Sequence, residues 1–175
     1  MEPMKHLSSA CLLACVVVSA TLAPASAQEP QLLLQSGDWG VYAGQNGARK
    51  VCFALAQPGS SQTIPPNRPR DPVFFFVSTR PADSVRNEVS IIMGYKVKAG
   101  SEASAEIAGS KFTLQTQADN AWLKDVSEEA RLVDAMRKAP EIVIKGVSGR
   151  GTQTTDKYSL KGLAQALDRV AQDCR

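Results

Sequence analysis

Histidine is almost absent from this chain, and its scarcity limits the chemistry that can be expected. The single histidine, His6, lies in an N-terminal segment that we expect to be removed, so the mature protein would have none. Histidine is the usual acid or base at neutral pH and a common ligand of zinc and copper. The composition therefore argues against histidine-based triads and imidazole metal sites, and we expect neither a metal nor a cofactor.

Short motifs of known catalytic families are also missing. No Ser-x-x-Lys occurs, and the segment GVSGR, residues 146–150, has arginine where a nucleophile elbow needs glycine. Phosphate loops and dinucleotide fingerprints are absent. A pair of carboxylates for glycoside hydrolysis stays formally possible, but acids such as Asp125 and Glu128 fit helix caps and solvated helix charges better. We therefore predict that the protein is not an enzyme.

The N-terminus has the features of a secretory signal. A short apolar run ends in Ala25-Ser26-Ala27, and small residues at these positions suit signal peptidase. We predict a signal peptide over residues 1–27 and a single domain over residues 28–175, without a transmembrane segment in the mature chain. A lipoprotein anchored at Cys15 is the alternative.

Cysteine becomes scarce once the signal is set aside, because only Cys52 and Cys174 remain. An even count in an exported chain favours a disulfide, and two free thiols are the alternative.

The net charge of the chain is small: the formal net charge is +3, without basic runs. That pattern does not indicate a nucleic-acid-binding protein.

The residues that are present predict mainly antiparallel β structure. Alternation of apolar and polar residues recurs in KVCFALA, NEVSIIMGYKVK, AEIAGSKFTLQT and EIVIKGVS, and Asn46-Gly47 suits a hairpin turn. The proline-rich segment 57–72 reads as an exposed loop, with polyproline docking as an alternative. We predict an antiparallel β-sandwich or barrel-like sheet.

Two amphipathic helices should accompany the sheet. The first follows Asp125 or Ser127 and stops before Pro140. The second begins with a cap at Ser159, and its apolar stripe is continued by Cys174. We expect this C-terminal helix to pack on the sheet beside Cys52, whose strand neighbours are alanines.

The segment RDPVFFFVSTRP, residues 70–81, holds three of the five phenylalanines. Phe74 and Phe76 share one side of a strand, and Phe75 lies on the other. We expect both sides to be covered, one by the facing sheet and one by the terminal helix. The alternative is a binding surface that includes Phe74 and Phe76 with nearby arginines, namely Arg68, Arg70, Arg80 and Arg86.

A series of segments resembles the invasion-associated locus B family of exported, mainly alphaproteobacterial proteins. They are GDWGVYAG, KVCFALAQP, RDPVFFFVSTRP, RNEVSIIMGY, AWLKD, LVDAMRKAP and YSLKGLAQALDR, and the likeness runs from Trp39 to Cys174. The resemblance implies a small protein of the periplasm or cell envelope, in a family named for entry into host cells. It offers no catalytic residue to carry over.

These observations lead to a functional expectation. We expect a periplasmic or secreted protein, compatible with outer-membrane association, that binds an envelope or host macromolecule. A small-ligand or lipid-binding domain is the alternative. An apolar cavity would favour that alternative, whereas a filled core with an exposed apolar patch would favour a macromolecular partner.

Overall fold

The structure is a computed structural model that describes residues 29–175. The predicted signal peptide, with His6 and Cys15, lies outside the described residues. Strand and helix bounds are as follows: β1 Gln31–Ser36, β2 Trp39–Asn46, β3 Arg49–Ala56, β4 Ser60–Ile64, β5 Phe74–Arg80, β6 Val85–Ile92, β7 Ala103–Ile107, β8 Ser110–Gln117, β9 Asn120–Leu123, α1 Glu129–Met136, β10 Glu141–Val147, β11 Gln153–Ser159 and α2 Leu163–Asp173.

One antiparallel sheet contains all eleven strands of the described chain, which confirms the predicted fold class. Its strand order is β1-β2-β3-β5-β6-β9-β8-β7-β10-β11-β4. The sheet curls over its own core. The ring of Phe75 in β5 lies 5.2 Å from that of Tyr158 in β11, although five strands separate the two in the sheet. The sheet is nevertheless open, with β1 and β4 at its edges.

The inner face of the curled sheet holds the hydrophobic core. Strand alternation places Cys52, Ala54 and Ala56 of β3 and Phe75 and Val77 of β5 on this face, and all five are buried. Each strand therefore has one inner and one outer face, as the period of two requires.

Both helices cover the inner side of the sheet. Helix α2 buries Leu163, Leu167 and Val170 and packs on β1, β2, β3 and β5. Helix α1 packs on β6, and the two helices are joined by an ion pair between Arg137 Nη1 and Asp168 Oδ1 at 2.9 Å. The predicted packing of the C-terminal helix on the sheet is thus confirmed.

A disulfide fixes the end of α2 to the sheet. Cys174 follows the helix directly, and its sulfur is bonded to that of Cys52 in β3, with both residues fully buried. The small side chains beside Cys52 leave room for the helix to approach β3.

Two glycines allow the start of α2 to approach the β1–β2 turn. A Cβ atom on Gly162 would lie 2.0 Å from the carbonyl oxygen of Ser36, and one on Gly37 would lie 2.3 Å from that of Lys161. Both glycines have positive φ, at +92° and +56°. A hydrogen bond joins the two segments: the backbone N–H of Asp38 donates to Lys161 O at 3.1 Å.

Several boundaries differ from the sequence-based predictions. Residues 31–36 form β1, which the sequence did not indicate, and the segment predicted as a loop contains β4. Strand β4 forms because its polar residues pair with β11. Helix α2 begins at Leu163 rather than after Ser159, since Ser159 still belongs to β11 and the left-handed Gly162 delays the first turn. Within residues 29–175, neither helix has the length and hydrophobicity needed to cross a bilayer.

Candidate functional site

The arginines proposed as one binding cluster lie in two separate groups. Arg68 and Arg70 precede β5, whereas Arg80 and Arg86 lie at its far end and in the following strand. Ten residues of largely extended chain separate Arg70 from Arg80, which corresponds to roughly 30 Å. The four side chains therefore do not converge on one ligand.

Arg70 is committed to a buried ion pair. Its Nη1 and Nη2 donate to Oδ1 and Oδ2 of Asp156 in β11, at 2.8 Å and 3.0 Å. Asp156 has no exposed surface, and Ser61 Oγ of β4 also donates to its Oδ1, at 2.7 Å. In this bidentate ion pair, the cost of burying the carboxylate of Asp156 is offset by its bonds to Arg70 and Ser61. The arrangement fastens the loop before β5 to β4 and β11, and it removes Arg70 from any binding surface.

Two tyrosines line this buried pair. The guanidinium of Arg70 lies 4.9 Å from the ring centre of Tyr95, and the hydroxyl of Tyr95 lies 2.6 Å from Thr154 Oγ1. Burial raises the pKa of both Tyr95 and Tyr158. The buried hydroxyl of Tyr158 has no hydrogen-bond partner among residues 29–175. We interpret this cluster as structural, because every other polar group in it is paired within the fold.

Arg80 is also paired, although it lies at the surface. Its Nη1 and Nη2 each lie 2.9 Å from a carboxylate oxygen of Glu88 on the neighbouring strand. The hydrogen bond to Glu88 raises the pKa of Arg80 further above its ordinary value. Arg68 and Arg86 are exposed. Of the four arginines, only these last two present charges without an ion-pair partner in the described chain.

The three phenylalanines of β5 are not all buried, which corrects one expectation. Phe75 is fully buried, but Phe74 and Phe76 remain partly exposed. The error concerned the covering elements. Helix α2 packs on the inner side of β5 and Tyr158 of β11 lies against Phe75, so both elements lie on the same side of the strand. Phe74 and Phe76 thus stay available as a surface.

The partly exposed Phe74 and Phe76 belong to a larger set of apolar side chains on the outer face, which we call the outer stripe. Strand register aligns three pairs of its members: Tyr42 with Phe53, Leu55 with Phe76, and Phe74 with Ile92. Trp122 of β9 is aligned with Ser90 of β6, and the five strands β2, β3, β5, β6 and β9 together span about 19 Å at the usual strand spacing. All members of the stripe are partly exposed. The outer stripe consists of Tyr42, Phe53, Leu55, Phe74, Phe76, Ile92 and Trp122.

Ring geometry indicates what the outer stripe presents to solvent. The rings of Tyr42 and Phe53 are stacked at 5.4 Å with planes 15° apart, and Phe76 lies 5.7 Å from Phe53 in a tilted arrangement. The ring of Tyr42 also lies over Gly40, where a Cβ atom would come within 2.7 Å of it. Four of the aromatic rings, those of Tyr42, Phe53, Phe74 and Phe76, thus pack against one another as a cluster on the outer face.

Shallow depressions flank the outer stripe at both ends. One of about 410 Å³ is lined by Tyr42, Leu55 and Phe74 together with polar groups such as Asp38. Another, of about 370 Å³, borders Trp122 and Ser90. A larger depression, of about 960 Å³, lies elsewhere, between α1 and the start of β10. These are openings on the surface, and the core beneath the sheet is filled by side chains.

Comparison with known proteins places the chain in a family. The model of the invasion associated locus B (IalB) protein family matches residues 39–171. The chain belongs to this family. The search of curated proteins and the search of solved structures returned no match.

Family membership agrees with the resemblance found in the sequence and supports an envelope protein of this type. The buried disulfide fits a non-cytoplasmic protein, since such bonds persist in oxidising compartments. Sequence reasoning missed Tyr42, Phe53 and Trp122 as companions of Phe74 and Phe76. Alternation gave the face of each residue, but the order of strands that aligns these faces was not visible in the sequence.

Proposed function

We propose that this protein is a non-enzymatic envelope protein that binds a macromolecular partner through the outer stripe. In members from pathogenic bacteria, we propose that such binding supports attachment to or invasion of host cells. The observation that carries the proposal is a set of seven large apolar side chains, all partly exposed, on the outer face of five neighbouring strands of the sheet.

The size and shape of the surface support a macromolecule over a small ligand. Contiguous exposed apolar patches on soluble proteins commonly mark interaction sites. Small-molecule sites are usually concave and enclose most of their ligand. The depressions beside the outer stripe are shallow and open, and the inner face is packed with side chains.

The charge around the outer stripe supports recognition through apolar contact. Arg80 is paired with both Glu88 and Asp83, and Asp83 is in turn bound by Arg49. Since these ions neutralise one another, they offer little long-range attraction to a charged partner. We therefore expect binding that depends weakly on salt.

The proposal is tested by capture from envelope fractions with the tagged protein and two variants. Phe53→Ser with Phe76→Ser removes two central rings of the outer stripe. Val126→Ser is the matched control, because Val126 is 70% exposed and lies outside the stripe, next to α1. Melting temperatures verify that each variant is folded.

We expect the unsubstituted protein and the Val126→Ser variant to retain the same partner, and the double variant to lose it. The partner should remain bound at about 0.5 M salt, where exposed charges are screened. Equal capture by all three proteins, or loss of the partner in high salt, would contradict binding through the outer stripe.

A further inference from the structure

Strand β1 is an edge of the sheet with few of the features that prevent edge pairing. It pairs only with β2 among the described residues, and its backbone groups on the other side make no hydrogen bond there. Its sequence, QLLLQS, contains no charged residue and no proline. Leu32 is 50% exposed. Natural proteins usually protect such an edge with charges, proline or a covering segment.

The opposite edge, β4, is protected by these means. Pro65 and Pro66 follow it directly and lack backbone N–H groups. The chain then turns back along the strand, since the backbone N–H of Arg68 donates to Thr63 Oγ1 at 3.2 Å. The two edges of one sheet thus differ: β4 is followed by two prolines and a chain that returns to it, whereas β1 is uncharged and has no such flanking segment within the described chain.

The chemistry of β1 suits an identical strand as its partner. Free backbone donors and acceptors along an extended strand are satisfied by another extended strand. In an antiparallel pair of two β1 strands, a charged residue would meet a like charge near the two-fold axis, which is unfavourable. The absence of charge in β1 removes that obstacle, and the three leucines add apolar contacts.

We propose that β1 pairs antiparallel with β1 of a second copy of this chain, so that two eleven-stranded sheets join edge to edge. The outer stripes of the two copies would then lie on one continuous face. The association does not depend on the proposed binding function, because it uses the edge and not the outer face.

The dimer should be weak. A bulge between Leu32 and Leu34 bends β1 and limits the number of regular pairs. One short strand pair also buries much less than the roughly 800 Å² per partner of a standard interface. We therefore expect a dissociation constant on the order of 50 µM.

The test compares the protein as isolated from cells at about 5 µM and about 500 µM, by sedimentation and by amide hydrogen exchange. With the expected affinity, mass action at the higher concentration slows hydrogen exchange about fourfold at those amides of residues 31–35 that point away from β2. The amides of β4 should not change. A monomer at both concentrations, or β1 amides that exchange at one rate throughout, would overturn the proposal.

Two matched variants locate the interface. Leu32→Lys and Ile64→Lys each replace an exposed aliphatic residue on one edge, since Leu32 is 50% and Ile64 66% exposed. We expect Leu32→Lys to abolish the dimer and Ile64→Lys to leave it intact. Loss of the dimer with Ile64→Lys alone would assign the contact to β4 and refute the proposal. A Phe76→Ser variant should still dimerise, which separates this result from that of the outer stripe.

Discussion

The two faces of β5 carry the same kind of residue but differ in surroundings. Phe75 on the inner face is enclosed by Trp39 and Tyr158, with ring centres 5.6 Å and 5.2 Å away. Phe74 and Phe76 on the outer face contact other aromatic rings and remain partly exposed. Phenylalanine content alone therefore does not identify core: the position of the covering elements decides which rings are buried.

Strand β3 shows the same contrast in a sharper form. Its inner residues are the small Cys52, Ala54 and Ala56, while Phe53 and Leu55 point outward. The inner side needs small residues because α2 and the disulfide lie close to the strand. The outer side carries the large residues without a covering element in the described chain. This inversion of the usual pattern makes the outer face a functional candidate.

The largest loss of unfolding free energy is expected when the disulfide at Cys174 is removed. Replacing Cys174 with serine removes the bond that closes a loop of 122 residues, for which the chain-entropy relation gives about 5 kcal/mol. Phe53→Ser, next to the other cysteine but on the outer face, should cost much less. Denaturant unfolding of both variants measures the difference. Similar losses would mean that the outer face is as important for stability as the inner face.

A second comparison uses the adjacent phenylalanines of β5. Phe75→Ala leaves a cavity among fully buried side chains and should lower the unfolding free energy by about 3 to 5 kcal/mol. Phe76→Ala, one residue away, should cost about 1 kcal/mol because solvent already reaches its ring. Urea unfolding at one pH provides both values. A loss at Phe76 equal to that at Phe75 would show that the outer stripe is covered in solution.

The smallest effect concerns a carboxylate on the inner side. Glu129 Oε1 accepts a hydrogen bond from the backbone N–H of Val89 at 2.7 Å, yet burial raises the pKa of this carboxyl above its ordinary value. The folded state thus binds the proton more readily than the unfolded state. Stability conferred by this group is present at low pH and declines as pH rises through the raised pKa.

Glu129→Gln tests this sign. The amide oxygen can keep the hydrogen bond to Val89, so at neutral pH we expect the variant to be as stable as the parent or better by about 0.5 kcal/mol. The gain should shrink in mildly acidic solution, where the parent carboxyl is already protonated. The unfolding free energies of Glu129→Gln and of the parent, measured from neutral to mildly acidic pH, provide the check. A stability advantage of the variant that grows as pH falls would contradict the raised pKa of Glu129.

Local patterns predicted the elements whose sequence alternates clearly, and long-range pairing explains those that were missed. The strands around Cys52, Phe75 and Ile91 alternate in apolar character, and the stripe of α2 led to Cys174. Strand β4 is polar and has little strand character of its own, and it exists because residues 60–64 pair with residues 153–157. Such a partner cannot be inferred from local residues.

The same limit applies to the candidate site. Asp156 and Tyr158 are two residues apart in β11 and share its buried face, but the pairing of Asp156 with Arg70 depends on a loop folded across the sheet. The outer position of Phe74 depended on where α2 packs. Each residue's face follows from the period of two, whereas the neighbour across the fold follows from strand order.

The pairing of β4 with β11 also sets the order in which the chain can complete its fold as it emerges N-terminus first. Residues 60–64 must wait for residues 153–157, and Cys52 must wait for Cys174, which is 122 residues further along the chain. An incomplete chain therefore has unpaired strands and an uncovered inner face, which favours aggregation. Such long-range closure means that β4 and Cys52 acquire their partners only after residues 153–174 have been made.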